Sequence, residues 1–123
     1  MVKIETVDVA TCSVDILRNL SIVKRERLPG SPARIDGMTV GIVTMTEDAP
    51  HGGEVHPDGD EFLYVMSGRI RITTESDPDF ELTLGAGEAC IVPKDLWHKV
   101  SILEETQLFH MTPGPNGDHR PAT

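Results

Sequence analysis

The run Gly53-Glu54-Val55-His56-Pro57-Asp58-Gly59-Asp60-Glu61-Phe62-Leu63-Tyr64-Val65-Met66-Ser67-Gly68 decides how this chain is read. It sets a carboxylate, Glu61, five residues after a histidine and reaches a turn glycine, Gly68, seven residues later. If Glu61 points inward, strand alternation turns Leu63 and Val65 the same way and sends Phe62, Tyr64 and Met66 to the other face. Glu54 and His56 share parity, so they project together. A second run, Gly87-Glu88-Ala89-Cys90-Ile91-Val92-Pro93-Lys94-Asp95-Leu96-Trp97-His98, brings another histidine after its own glycine and proline. His98 shares a face with Val100 and Ile102.

Around these runs short strands recur at the spacing of an all-β barrel or sandwich: 61–66, 69–74, 80–84, 88–92, 97–103 and 106–112. Turn signals separate them at Ser67-Gly68, Asp77-Pro78-Asp79, Gly85-Ala86-Gly87 and Pro93-Lys94-Asp95. Upstream, residues 2–9 alternate weakly and predict an edge strand. Thr11 or Ser13 could cap a short helix through Val14, Ile16, Leu17 and Leu20. Ser21 to Leu28 reads as a strand, Pro29 to Ala33 as a loop, and Met38 to Met45 as a β run. The segment from Thr112 is rich in Pro and Gly and predicts an extended tail. The expectation is an all-β antiparallel jelly-roll with a short N-terminal helix. Residues 1–37 would pack on a barrel at 38–112, with a tail at 113–123.

At 123 residues the chain has room for one core. Apolar residues make up 38%, many of them Val, Ile and Leu, which suits a sheet protein. A net charge of −9 repels phosphate backbones and anionic lipids, so neither nucleic acid nor a membrane surface is expected as a partner. No apolar run approaches the roughly 18 residues of a membrane span. The N-terminus lacks an apolar signal segment, which makes the cytoplasm the expected compartment. Cys90 reads as a small buried hydrophobe, and a disulfide with Cys12 is not expected.

The two runs resemble the paired motifs of the cupin superfamily, G-x5-H-x-H-x3-4-E-x6-G and G-x5-P-x-G-x2-H-x3-N. Glu61, Gly68, Gly87, Pro93 and His98 fall in register, as does His56 for the second histidine. Glu54 stands where the first histidine belongs, and Ile102 where the final Asn belongs. The resemblance covers roughly residues 38–112 and implies a β-barrel with a divalent metal site. It implies that Glu54, His56, Glu61 and His98 converge from separate strands as ligands, with Glu54 either coordinating or bonding to a bound water or substrate. Such a donor set suits Zn, Mn, Fe or Ni. Two carboxylates and two neutral imidazoles bring a divalent ion to about zero net charge, which makes it a weaker Lewis acid than a three-histidine site. Without metal, the two carboxylates in one pocket would drive one of them to protonate, and the pair could still do acid/base work.

Other candidates read more plainly. His51 is a loop-surface histidine, able to replace the missing ligand if its loop shifts. His110 lies on the last strand with either face open to it, and His119 sits in the tail. Arg69 and Arg71 belong to a solvated face, since Ile70 and Ile72 claim the interior. Tyr64 and Trp97 read as packing residues, and Asp58-Gly59-Asp60 as a turn. For function, the resemblance favours a metal-dependent enzyme of isomerase or lyase type on a small molecule, with Glu54 or Glu61 moving a proton. The alternatives are a non-catalytic ligand binder or sensor and an Fe(II) dioxygenase. A homodimer is expected.

Overall fold

Among residues 3–29 and 35–122, those described by the computed structural model, the chain forms nine strands and no helix. They are β1 (Cys12–Leu17), β2 (Ile22–Glu26), β3 (Gly37–Met45), β4 (Glu54–Val55), β5 (Glu61–Thr74), β6 (Glu81–Gly85), β7 (Ala89–Val92), β8 (His98–Gly114) and β9 (Asp118–His119). All pairings are antiparallel. The expected loop after Pro29 lies outside the described residues.

The ladder between β5 and β8 organises the rest. It runs from Phe62 opposite Met111 to Thr74 opposite His98. The first half of β5 also pairs with β7, and its second half with β6. On its other side, β8 pairs with β3 from Thr106 to Gly114, and β3 passes the sheet on to β1 and β2. The β5–β8 register shifts between Val65 and Ile70, and such bulges bend and twist a strand pair. The bend folds one ladder into two facing layers. Between them lies a core of Leu63, Val65, Ile70, Ile72, Leu84, Val92 and Leu108.

Ser67-Gly68 is therefore not a turn, and 97–103 and 106–112 are not separate strands. Both expected breaks lie inside continuous bent strands, because the ladder resumes on either side of the bulged residues and a side chain takes over at the kink. Gly68 makes the bend possible with φ at +91°. A Cβ at this position would overlap the Glu105 carbonyl oxygen and sit 2.7 Å from Thr106 Cα. Thr106, fully buried, closes the kink: its hydroxyl accepts from the Arg69 amide at 3.1 Å and donates to the Glu104 carbonyl at 2.8 Å.

The N-terminal helix is also corrected. Thr11 to Leu20 forms β1 and the turn that leads into β2. Its buried positions alternate, but they are polar: Ser13 and Asp15 face inward, while Val14 and Ile16 are half-buried. Asp15 receives both nitrogens of a two-pronged Arg25 contact at 2.8 Å and the Thr39 hydroxyl at 3.1 Å. A cross-strand ion pair thus replaces the apolar stripe that a helix would have buried, and the apolar periodicity misleads. Nor is there a strand within residues 3–9; Asp8 instead caps a turn by accepting from the amides of Ala10, Thr11 and Cys12.

The C-terminal segment folds back on the barrel. β9 pairs with β4, setting His119 opposite Glu54. The Arg120 guanidinium stacks 3.7 Å from the Trp97 ring centre and grips both Glu75 oxygens at 3.0 Å. Asn116 bonds both oxygens of Asp58 at 2.6 and 2.8 Å. Trp97 is thereby a packing platform for the tail.

Gly68→Ala is expected to cost about 2–4 kcal/mol, combining an unfavourable φ with a backbone overlap. Urea unfolding of the variant beside wild type measures it. A loss below about 0.5 kcal/mol would show that the bend does not depend on this residue.

Candidate metal centre

Glu61 opens β5 and His98 opens β8, so they stand at opposite ends of the same ladder. β5 is 14 residues long, and a flat ladder of that length would hold its ends about 43 Å apart. In the bent barrel His98 Nε2 lies 3.2 Å from Glu61 Oε1. Curling has closed the distance. β4 supplies the other half of the cluster: Glu54 pairs with His98 in register, and His56 follows one residue after the strand. Gly53 lets β4 approach so closely, since a Cβ there would stand 3.0 Å from the His98 carbonyl oxygen.

Glu54, His56, Glu61 and His98 each offer a donor atom, and these atoms all lie within 4.8 Å of one another. His56 Nε2 is 3.5 Å from Glu54 Oε1 and 3.4 Å from Glu61 Oε2, and His98 Nε2 is 3.5 Å from Glu54 Oε1. Donors about 2.1 Å from a shared ion stand about 3.0–3.4 Å apart at octahedral or tetrahedral angles. The four side chains therefore fit a divalent ion. His56 adds a second sign of fit: neither buried ring nitrogen makes a hydrogen bond, Nε2 having only the 3.4–3.5 Å ionic contacts to the two carboxylates, and a bound ion would give one nitrogen a direct partner. His98 is oriented from behind, its Nδ1 bonded to the Leu96 carbonyl at 2.9 Å, which leaves Nε2 for the centre.

The electrostatics correct one expectation. Burial works against charge on all four groups, but the mutual contacts outweigh it. The imidazoles hold Glu54 and Glu61 below the usual carboxylate range. The carboxylates in turn push His56 up to about 9 and His98 to about 10. Without metal, the protons reside on the histidines and neither carboxyl is driven to protonate. Two imidazolium groups matched to two carboxylates leave no like-charge pair uncompensated.

Glu54, His56 and Glu61, with His98 buried behind them, form the floor of a cavity of about 730 Å³. Its walls are largely aliphatic, including Val43, Met45, Leu63, Val100 and Leu108, and no Lys or Arg lines it among the described residues. His51, His110 and His119 all reach this cavity: His51 does so from its loop and half-buried, and His119 from the tail while remaining exposed. His51 Nε2 stands 3.6 Å from Glu54 Oε2, with Nδ1 accepting from the Gly53 amide at 3.2 Å. The His119 ring lies over His51 at 5.8 Å. It arrives by the β4–β9 pairing, a contact between segments more than 60 residues apart that no local pattern announces. His110 is on the inner face of β8, and its burial pushes its pKa down. Thr112, which the sequence reading passed over, bonds both His110 and Glu61; a threonine two residues after a strand histidine carries no signal on its own. Ile102, in place of the motif Asn, packs against the core. Ile70 and Ile72 are buried, and Arg71 pairs with Glu81 on the outer face.

Residues 41–112 match the cupin domain family. Among solved structures, a cupin-2 domain protein from Shewanella frigidimarina is 28% identical with a TM-score of 0.53, covering 67% of this chain and 76% of that one. A cupin superfamily protein from Desulfitobacterium hafniense is 15% identical with a TM-score of 0.53, over 70% and 72% of the two chains. Oxalate decarboxylase from Bacillus subtilis, studied for its Mn(II) centres, is 23% identical with a TM-score of 0.56; the match covers 67% of this chain and 23% of that chain. No curated protein matches. With more than half of its length matching the family on a fold of the same kind, this chain belongs to the cupins.

Proposed function

We propose that this cupin is a metal-dependent enzyme of isomerase or lyase type, acting without redox chemistry on a small, uncharged, largely apolar compound that carries a carbonyl or hydroxyl oxygen. The observation that carries this reading is the convergence of two imidazoles and two carboxylates, with no hydrogen bond to either His56 ring nitrogen, at the floor of an aliphatic cavity. His56, His98, Glu61 and Glu54 would hold the ion. Bound there, a divalent metal supplies Lewis acidity toward a substrate oxygen. Glu54 is the better candidate to move a substrate proton, because its side chain is 30% exposed while that of Glu61 is 4% exposed and already bonded to Thr112. The absence of Lys and Arg from the described lining argues against a dianionic substrate, since an ion neutralised by two carboxylates offers little further attraction. The Mn(II) centres of the oxalate decarboxylase make Mn(II) the first ion to test. We further propose a homodimer, supported by the outer strand β2, whose hairpin leaves Leu20, Ile22, Val23 and Leu28 exposed.

Elemental analysis of untagged protein, followed by anaerobic titration with Mn(II), Fe(II), Ni(II) and Zn(II), tests the metal reading. One ion per chain is expected. His98→Ala should abolish retention, and Glu54→Ala should weaken it about 10- to 100-fold. A wild-type protein that takes up none of the four ions would retire the metalloenzyme and leave a ligand-binding barrel. Stoichiometric Fe(II) with oxygen uptake would instead favour a dioxygenase.

Binding must also displace protons. At pH 7.5 His56 and His98 are both charged in the metal-free protein, so about two protons should leave per ion bound. Calorimetry in buffers of different ionisation enthalpy counts them, and a count near zero would contradict the protonated pair. The same shifts set a stability trend for the metal-free protein. Raised histidines contribute fully below their ordinary value of 6.5, and that contribution is lost as pH rises through 9–10. Lowered carboxylates contribute above their ordinary 4.5 and lose their effect in acid. The melting temperature in chelator should therefore fall between pH 7 and 10, while metal-loaded protein holds its value.

A further inference from the structure

Glu61 is gripped on the side away from His98 as well. Its Oε2, which also lies 3.4 Å from His56 Nε2, accepts a shorter 2.7 Å hydrogen bond from the Thr112 hydroxyl, while Oε1 faces His98. That bond uses the only hydrogen the hydroxyl has. The 2.9 Å contact between Thr112 Oγ1 and His110 Nδ1 then requires the hydrogen to sit on Nδ1. Donor and acceptor counting thus assigns a directed chain from His110 through Thr112 into Glu61. The two residues are spaced to share one face of β8. Room for the imidazole comes from Gly41, its partner across the β3–β8 ladder, where a Cβ would lie 3.1 Å from His110 Nε2. Glu54 is held in a parallel way, with Oε1 facing the two inner imidazoles and Oε2 facing His51.

We propose that Thr112 and His110 are positioning residues for Glu61, committing its Oε2 to the protein so that Oε1 is the oxygen offered to the ion. The inference rests on the metal-binding reading above. A carboxylate with one oxygen so engaged would present the other to an ion, leaving the cavity side free for a substrate oxygen. The chain also fixes the Glu61 side chain before metal arrives, so little ordering remains to be done on binding.

The test is Mn(II) and Zn(II) binding, measured by calorimetry on wild type, Thr112→Val, Thr112→Ser and His110→Phe. Valine keeps the β-branched shape and removes the donor, whereas serine keeps the donor. Thr112→Val should bind about 10- to 100-fold more weakly, Thr112→Ser should stay close to wild type, and His110→Phe should fall between them. In the metal-free protein, long-range proton–nitrogen NMR should show His110 as the Nδ1–H tautomer, and Thr112→Val should lose that signature. A folded Thr112→Val that binds like wild type, or a Thr112→Ser as weak as the valine variant, overturns the proposal. If Thr112→Val does not fold, an unchanged affinity in His110→Phe overturns it and a weakened one supports it. A wild type that binds neither ion defeats the metal reading, and this role with it, before any variant is compared.

Discussion

The bend in the β5–β8 ladder is the constraint on which the molecule depends. A regular antiparallel pair would leave Glu61 and His98 far apart, at its two ends. Three register irregularities, a glycine at positive φ and a buried threonine hydroxyl curl that pair until its ends meet. The same curl makes two layers from one ladder, encloses the aliphatic core and opens the cavity above the cluster. Core and site are consequences of one backbone event, which is why Leu63 and Val65 follow Glu61 on the same face of β5.

Within the cluster, charge balance does the work that apolar packing does elsewhere. Four ionisable groups are brought together beside a hydrophobic core, a costly arrangement unless each is compensated. Glu54 in place of an imidazole turns an uneven set into a matched pair of acids and bases. The carboxylates raise both histidines and the histidines lower both carboxylates, so protons favour His56 and His98, and a divalent ion taking their place would leave the net charge unchanged. The expectation that a carboxyl would protonate considered only the two acids. It failed because the imidazoles lie within 3.2–3.5 Å of them.

Outside the cluster, histidines and a hydroxyl form a second ring. His51 faces Glu54, Thr112 and His110 back Glu61, and His119 arrives on β9 to lie over His51. β9 is held by backbone pairing with β4 and by Arg120 clasped between Trp97 and Glu75. The cavity wall thus includes a segment whose Pro and Gly content suggests only a tail.

Much was legible in the residues alone. Period-two alternation assigned Glu61, Leu63 and Val65 to the interior and Arg69 and Arg71 to the outside, because strand geometry sends alternate side chains to opposite faces whatever the partner strands are. Motif spacing, through the family resemblance, named the four residues that the structure brings together. Tertiary structure decided what local pattern cannot carry. Whether Gly68 turns the chain or bends a continuous strand depends on the partner offering hydrogen bonds across it. Whether Ser13 to Leu17 becomes helix or strand depends on Arg25 and Thr39 arriving to satisfy Asp15. His110, Thr112 and His119 join the site through contacts between distant segments, and only the closed barrel specifies those.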